Sequence, residues 1–179
     1  SADEPADIRD TNKFTSLAAR LPSDAEWYTS PLKRTQMTAN ILAALKNNSA
    51  VITDNRLAEQ DFGNWFGLTS EELWAKINHL KGHNWAWLNA ETTPENGENF
   101  MGVWGRARDF MNTYTSQPDS KPKVIISHAG VIRAFIGNAL GLTPDIALSL
   151  GINTLSLTHM QHTTGNRDGG NWRLMCQNT

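Results

Sequence analysis

A single cysteine, Cys176 near the C-terminus, serves the whole 179-residue chain, which leaves no disulfide framework and no cysteine metal site. Long apolar runs are also missing. Nothing approaches the ~20 consecutive apolar residues that a membrane-spanning helix needs. Charge of one sign is not in excess: 16 Lys and Arg against 18 Asp and Glu give a net charge of −2. A chain so balanced lacks the basic stripe of a nucleic-acid binder or the polybasic face of a membrane-surface protein. The opening Ser1-Ala2-Asp3-Glu4-Pro5 has no basic flank or apolar core, unlike a secretory signal. No repeat or low-complexity tract interrupts the chain. With 39% hydrophobic and 19% charged residues, it reads as one globular domain spanning residues 1–179. The expected setting is the cytoplasm, with no nucleic-acid or membrane partner and a composition compatible with a homodimer.

Strand-type and helix-type segments alternate. Glu26-Trp27-Tyr28-Thr29 reads as a short strand after the turn at Pro22-Ser23-Asp24, and a helix follows from Pro31 through Thr38, Ile41, Leu42 and Leu45. Val51-Ile52 makes a second short strand. Lys123-Val124-Ile125-Ile126-Ser127 is apolar and β-branched without alternation, the pattern of a parallel strand buried on both faces. It leads into His128-Ala129-Gly130 and a helix through Val131, Phe135 and Leu140, which Gly141 stops. Residues 154–158 and 172–175 are expected to close the chain as an antiparallel pair around the Gly- and Asn-rich stretch 165–170. The alternation predicts an α/β three-layer sandwich with a mostly parallel sheet. Segment 69–97 breaks the pattern with Trp74, Trp85, Trp87, His79 and His83, and reads as a lid-like, partly helical insertion.

In open α/β sheets, ligands bind beyond the carboxyl ends of the strands. Two strand-to-helix junctions carry titratable or charged groups there: Ser30-Pro31-Leu32-Lys33-Arg34 and Ser127-His128-Ala129-Gly130. Helix starts present free N–H groups to anions, and an arginine adds a fork that binds two phosphate oxygens. For either residue alone, a surface ion pair for Arg34 or a helix cap for His128 is an equally good account. A third segment, Leu57-Ala58-Glu59-Gln60-Asp61-Phe62-Gly63-Asn64-Trp65, sets a carboxylate before a Phe-Gly-x-Trp turn.

Together these segments resemble the signature motifs of the histidine phosphatase (phosphoglycerate mutase-like) superfamily. Pro94-Glu95-Asn96-Gly97-Glu98-Asn99 with Arg106 is similar to that family's Gly-Glu-Ser helix start and trailing arginine. The resemblance implies the family's α/β/α fold. It also implies that Arg34 and the backbone N–H of Ala129 bind phosphate, that Glu59 donates a proton, and that His128 hydrogen-bonds the transferred group. Arg34, Glu59 and His128 are expected in one pocket, with Arg106 nearer the sheet's periphery. Family members open with a strand ending in Arg-His-Gly, whose histidine is phosphorylated. No such motif occurs here, so the expectation is that this strand precedes Ser1 and lies beside residues 123–127. Further departures are Phe66 at the family's Trp-Glu-Gly glutamate and Asn99 at its serine.

The implied activity is phosphomonoester hydrolysis through a phosphohistidine, with a small phosphorylated metabolite or inorganic phosphate as ligand and no metal or other cofactor. A mutase-type transfer is the alternative within the family, and a phospholigand-binding pseudoenzyme the alternative outside catalysis. The short insertion, with only Lys76 and Lys81 basic, favours a phosphatase. Its tryptophans either pack the lid or meet an apolar part of the substrate. His79 and His83 stand four residues apart, as helical metal ligands do, but lack a third ligand.

Overall fold

The computed structural model describes residues 3–80, 82–116, 121–165 and 168–179. Three parallel strands form the central sheet: β1 (Glu26–Thr29) lies between β2 (Val51–Thr53) and β3 (Lys123–Ile126). The register sets Trp27 beside Val124 and Thr29 beside Ile126. Because the strands are parallel, the chain leaves all three at one edge. Helices α1 (Thr11–Arg20) and α2 (Lys33–Leu45) cover one face, while α4 (Phe100–Thr115), α5 (Ala129–Leu140) and α6 (Pro144–Leu148) occupy the other. α3 (Ser70–Ile77) belongs to the insertion.

Successive side chains of a strand point to opposite faces, and the two cores divide accordingly. Trp27, Val124 and Ile126 pack with Phe14, Leu17 and Leu42 of α1 and α2. Tyr28 packs with Phe100, Val103, Phe110, Val131 and Phe135 of α4 and α5, and Ile125 lies against that cluster. Both faces of β3 are therefore covered, which is why its sequence shows no alternation. The three layers are those expected from the sequence.

Several boundaries differ. α2 begins at Lys33 rather than Pro31; Pro31 precedes the N-cap residue Leu32. Ser127 lies one residue beyond β3. Helix α1 was not foreseen: Asp10 caps it by accepting from Lys13 N–H at 3.0 Å, and Phe14, Leu17 and Ala18 form its buried stripe. The closing hairpin is shifted. Its strands are β4 (His159–His162) and β5 (Trp172–Cys176), not residues 154–158 and 172–175. Leu155 takes a left-handed φ of 50°, and Ser156 Oγ turns back to Asn153 C=O at 2.7 Å, so no strand runs through 154–158. Leu157 instead exchanges backbone hydrogen bonds with Thr179. Residues 166 and 167 of the expected connecting turn lie outside the described residues. β4 and β5 form a sheet of their own. Among the described residues, β3 is paired on one side only, by β1.

Insertion 69–97 starts with a capping box: Thr69 Oγ1 accepts from Glu72 N–H, and the Glu72 carboxylate accepts from Thr69 N–H. After α3 it continues in turns. Ile77, Leu88, Ala90 and Pro94 are buried, whereas Trp74, Trp85 and Trp87 are 60%, 78% and 57% exposed and do not pack the lid.

Candidate active site

The carboxyl edge of the sheet gathers the sequence-singled residues through hydrogen bonds between neighbouring junctions. Ser30, fully buried, follows β1; its N–H donates to Ile126 C=O at 3.2 Å, tying it to the end of β3. Its hydroxyl oxygen accepts from Leu32 N–H at 3.2 Å, which shapes the entry to α2. That same hydroxyl meets His128 Nε2 at 2.8 Å. His128 holds the N-cap position of α5 but makes no side-chain cap bond, so its ring is committed across the sheet edge rather than to its own helix. The first α5 bond runs from Ile132 N–H to His128 C=O, leaving the N–H groups of Ala129 and Gly130 outside the helix ladder.

Glu59 arrives from the turn after β2. Ser127 Oγ donates to Leu57 C=O at 2.8 Å, which draws this turn against the end of β3. The Glu59 carboxylate accepts from Gln60 N–H at 3.0 Å and faces the N–H of Gly130. A β-carbon at position 130 would stand 2.5 Å from Glu59 Oε1, so only glycine admits the carboxylate there. Arg34 sits in the first turn of α2, partly buried, and makes no ion pair among the described residues. A surface-paired arginine and a capping histidine are thus not what the fold contains. Arg34, Glu59 and His128 lie at this one edge, near enough that the Arg34 charge acts on both of the others.

Electrostatics ties these groups into one site. Burial, then the charges of Arg34 and Arg106, lowers the His128 pKa to about 4, so the ring is neutral at pH 7. Burial raises the Glu59 pKa, while Gln60 N–H, Gly130 N–H, Arg34 and Arg106 oppose the rise. Arg133, three residues after Gly130 on α5, also feels the Glu59 charge; its Nε donates to Leu150 C=O at 2.7 Å.

Arg106 corrects an expectation. It lies on the helix after Gly97, but its side chain is 18% exposed and its charge reaches both Glu59 and His128, so it is not peripheral. Asn99, at the family's serine position, caps α4 by accepting from Gly102 N–H at 3.0 Å, a role both residue types fill. Ser30 and Ser127 were not singled out by the sequence reading; a hydroxyl just beyond each buried strand was the available signal. His79 and His83 do not share a helix, since α3 ends at Ile77, and His83 engages Asp145 C=O and Trp85 N–H. Two clefts of about 400 Å³ lie elsewhere, one along α2 and β2 and one between the insertion and α6; neither is lined by Arg34, Glu59 or His128.

The sheet edge of this α/β/α domain thus gathers an arginine in no ion pair among the described residues, a buried neutral histidine and a carboxyl of raised pKa. The sequence profile of the histidine phosphatase superfamily (branch 1) matches residues 7–175, and the chain belongs to that family. It is 30% identical over 136 residues to phosphoserine phosphatase 1 of Hydrogenobacter thermophilus, covering 75% of this chain and 64% of that protein. It is 30% identical over 132 residues to the 2,3-bisphosphoglycerate-dependent phosphoglycerate mutase of Brucella anthropi, covering 71% and 63%. The chain thus spans less than two thirds of the length of these relatives. A mycobacterial glucosyl-3-phosphoglycerate phosphatase superposes with a TM-score of 0.80 at 25% identity, over 99% of this chain and 89% of that one. The same mycobacterial enzyme in complex with inorganic phosphate superposes with a TM-score of 0.75 at 26% identity, over 94% and 84%.

Proposed function

We propose that this chain carries the phosphate-binding and proton-donating groups of a phosphomonoesterase that works through a phosphohistidine. The observation that carries the reading is the junction itself: His128 joined to Ser30 across the sheet edge, with Glu59 seated against Gly130 and Arg34 in no ion pair among the described residues. Arg34 grips two phosphate oxygens, and the N–H of Ala129 offers another donor. His128, neutral without ligand, takes up a proton more readily beside a phosphate dianion and then donates to a transferred oxygen. Phosphoryl transfer states spread charge over the equatorial oxygens, so such positioned donors supply most of the catalysis. The cations already in place argue for turnover without added metal.

In the first step the phosphorus–ester oxygen bond breaks, phosphorus bonds to the nucleophile's nitrogen, and protonated Glu59 gives its proton to the leaving alkoxide. Ionised Glu59 then takes a proton from water, which attacks the phosphohistidine and releases phosphate. His128 Nε2 is engaged by Ser30 Oγ, and among the described residues no other histidine is placed with these groups. The nucleophile is assigned to a further strand that pairs with the free edge of β3. Relatives named for phosphoserine, phosphoglycerate and glucosyl-3-phosphoglycerate support a small phosphorylated metabolite as substrate. Segment 69–97 acts as its lid, and the lone cysteine suits a reducing cytoplasm.

The test is p-nitrophenyl phosphate hydrolysis in chelator, by the Ser1–Thr179 chain and by one that includes any residues encoded upstream, with acid-labile phosphoenzyme trapping. Turnover and a trapped phosphohistidine in the longer chain alone are expected. Metal-independent turnover by both chains alike would remove the added strand from the reaction. Interconversion of 2- and 3-phosphoglycerate exceeding hydrolysis would favour the mutase.

A further inference from the structure

Glu98 and Arg106 take no part in the steps above, yet they enclose the segment that carries Glu59. Glu98 immediately precedes the N-cap of α4, and Arg106 lies two turns along it. The guanidinium grips the carboxylate with two prongs, Nε to Oε1 at 3.0 Å and Nη2 to Oε2 at 2.9 Å. Its third arm, Nη1, donates to Arg56 C=O at 2.7 Å. The main chain of Glu98 holds the other side of the same turn: its C=O accepts from Gln60 Nε2 at 2.9 Å, and its N–H donates to Asp61 C=O at 2.7 Å. One ion pair therefore grips residues 56 to 61 at both ends, with Glu59 between. Gly102 makes room for it, since a β-carbon there would stand 2.8 Å from Glu98 Cγ.

The pair also has an electrical consequence. Glu59 is faced by the N–H of Gly130 and by the charges of Arg34 from α2, Arg106 from α4 and Arg133 from α5; His128, at the β3–α5 junction, feels the same Arg34 and Arg106. Among the described residues, Glu98 is the one carboxylate in an ion pair with any of these arginines.

We propose that Glu98 and Arg106 are the positioning pair of the proton donor: together they hold the Glu59 turn in place, and Glu98 limits how much of the Arg106 charge acts on the Glu59 carboxyl. The proposal rests on reading Glu59 as the proton donor, and it predicts effects of opposite sign. Glu98→Gln keeps the shape but uncovers the Arg106 charge, which favours ionised Glu59. Arg106→Met removes that cation and leaves the Glu98 carboxylate nearby, which favours protonated Glu59.

Titration of Glu59 in the Ser1–Thr179 chain without substrate separates this idea from the enzymatic one. The protonated carboxyl stretch is read by infrared difference against Glu59→Gln in each background. We expect Glu98→Gln to lower the Glu59 midpoint and Arg106→Met to raise it, each by roughly one pH unit, with the double variant between them. Arg106→Lys, which keeps the charge without the fork, should leave the midpoint near wild type; it also serves as the second reading if Arg106→Met fails to fold. In a catalytically active chain, the same substitutions should move the basic limb of the kcat–pH profile in the same sense, and Arg106→Lys should lower kcat more than it raises KM. Unmoved midpoints, or two shifts of one sign in folded variants, would overturn the proposal. Shifted midpoints together with no turnover in the longer chain would leave it standing and count against the phosphatase alone.

Discussion

At Glu59, two opposing influences meet: burial favours the protonated acid, and the Gln60 and Gly130 N–H groups, then Arg34 and Arg106, favour the carboxylate. The net shift is upward, which suits the proton-giving step proposed for it. Glu59→Gln keeps shape and donors but delivers no proton, so kcat on alkyl phosphates should fall ~10²–10⁴-fold in the active chain. The loss should be much smaller with p-nitrophenyl phosphate, whose leaving group needs no proton; equal losses on both substrates would remove Glu59 from that role. Gly130→Ala drives a methyl group toward Glu59 Oε1, and because the far end of a side chain yields easily, Glu59 should move while the fold survives. A displacement of about 1 Å typically costs up to ~10² in rate, so kcat should drop with little change in Tm. His128 titrates near 4 folded against 6.5 unfolded, so as the pH falls the unfolded chain takes the proton first. Its contribution to stability is complete above pH 6.5 and decreases by roughly 3 kcal/mol on descent to pH 4. Glu59, with its raised pKa, acts in the opposite sense. Urea denaturation of His128→Asn should show a flatter acid-side decline than wild type between pH 6.5 and 4.

Between elements, the decisive contact is the seam where the Glu59 loop meets the start of α4. Asn64 N–H donates to Glu95 C=O at 2.9 Å and Glu98 N–H to Asp61 C=O at 2.7 Å. Two glycines let these backbones approach. Gly63 has a left-handed φ of 49° and lies against Glu95 C=O, and a β-carbon at Gly97 would stand 2.5 Å from Asp61 C=O. Backbone cannot swing aside as a side-chain tip can. Gly97→Ala should therefore cost ~1–3 kcal/mol, read as a fall of several degrees in Tm. Unlike Gly130→Ala, it should lower stability and activity together. The Phe-Gly-x-Trp and Gly-Glu motifs, over 30 residues apart in sequence, are thus two sides of one seam.

For the whole molecule, the edge of β3 that is unpaired among the described residues matters most. Parallel strands are ordinarily paired and covered, and an unpaired edge invites pairing with another chain. The Ser1–Thr179 polypeptide should self-associate on concentration, detectable by light scattering, and a strand added beside β3 should suppress this while restoring turnover. Light scattering that stays monomeric for the shorter chain would show that the edge is protected in another way. Much of this architecture was legible beforehand. An aromatic pair marked β1, an apolar β-branched run marked β3, αL-ready Gly141 ended α5, and motifs resembling those of the family singled out Arg34, Glu59 and His128, because local preferences and short motifs are written in neighbouring residues. The sequence could not place the hairpin, since a left-handed Leu155 and the pairing of Leu157 with Thr179 moved it beyond residues 154–158. Nor could it identify Ser30 as the partner of His128, 98 residues away, or bring Arg106 in from the periphery. Those outcomes depend on which junctions the parallel register sets side by side and on how burial amplifies the charges gathered there, and both exist only once the layers have packed.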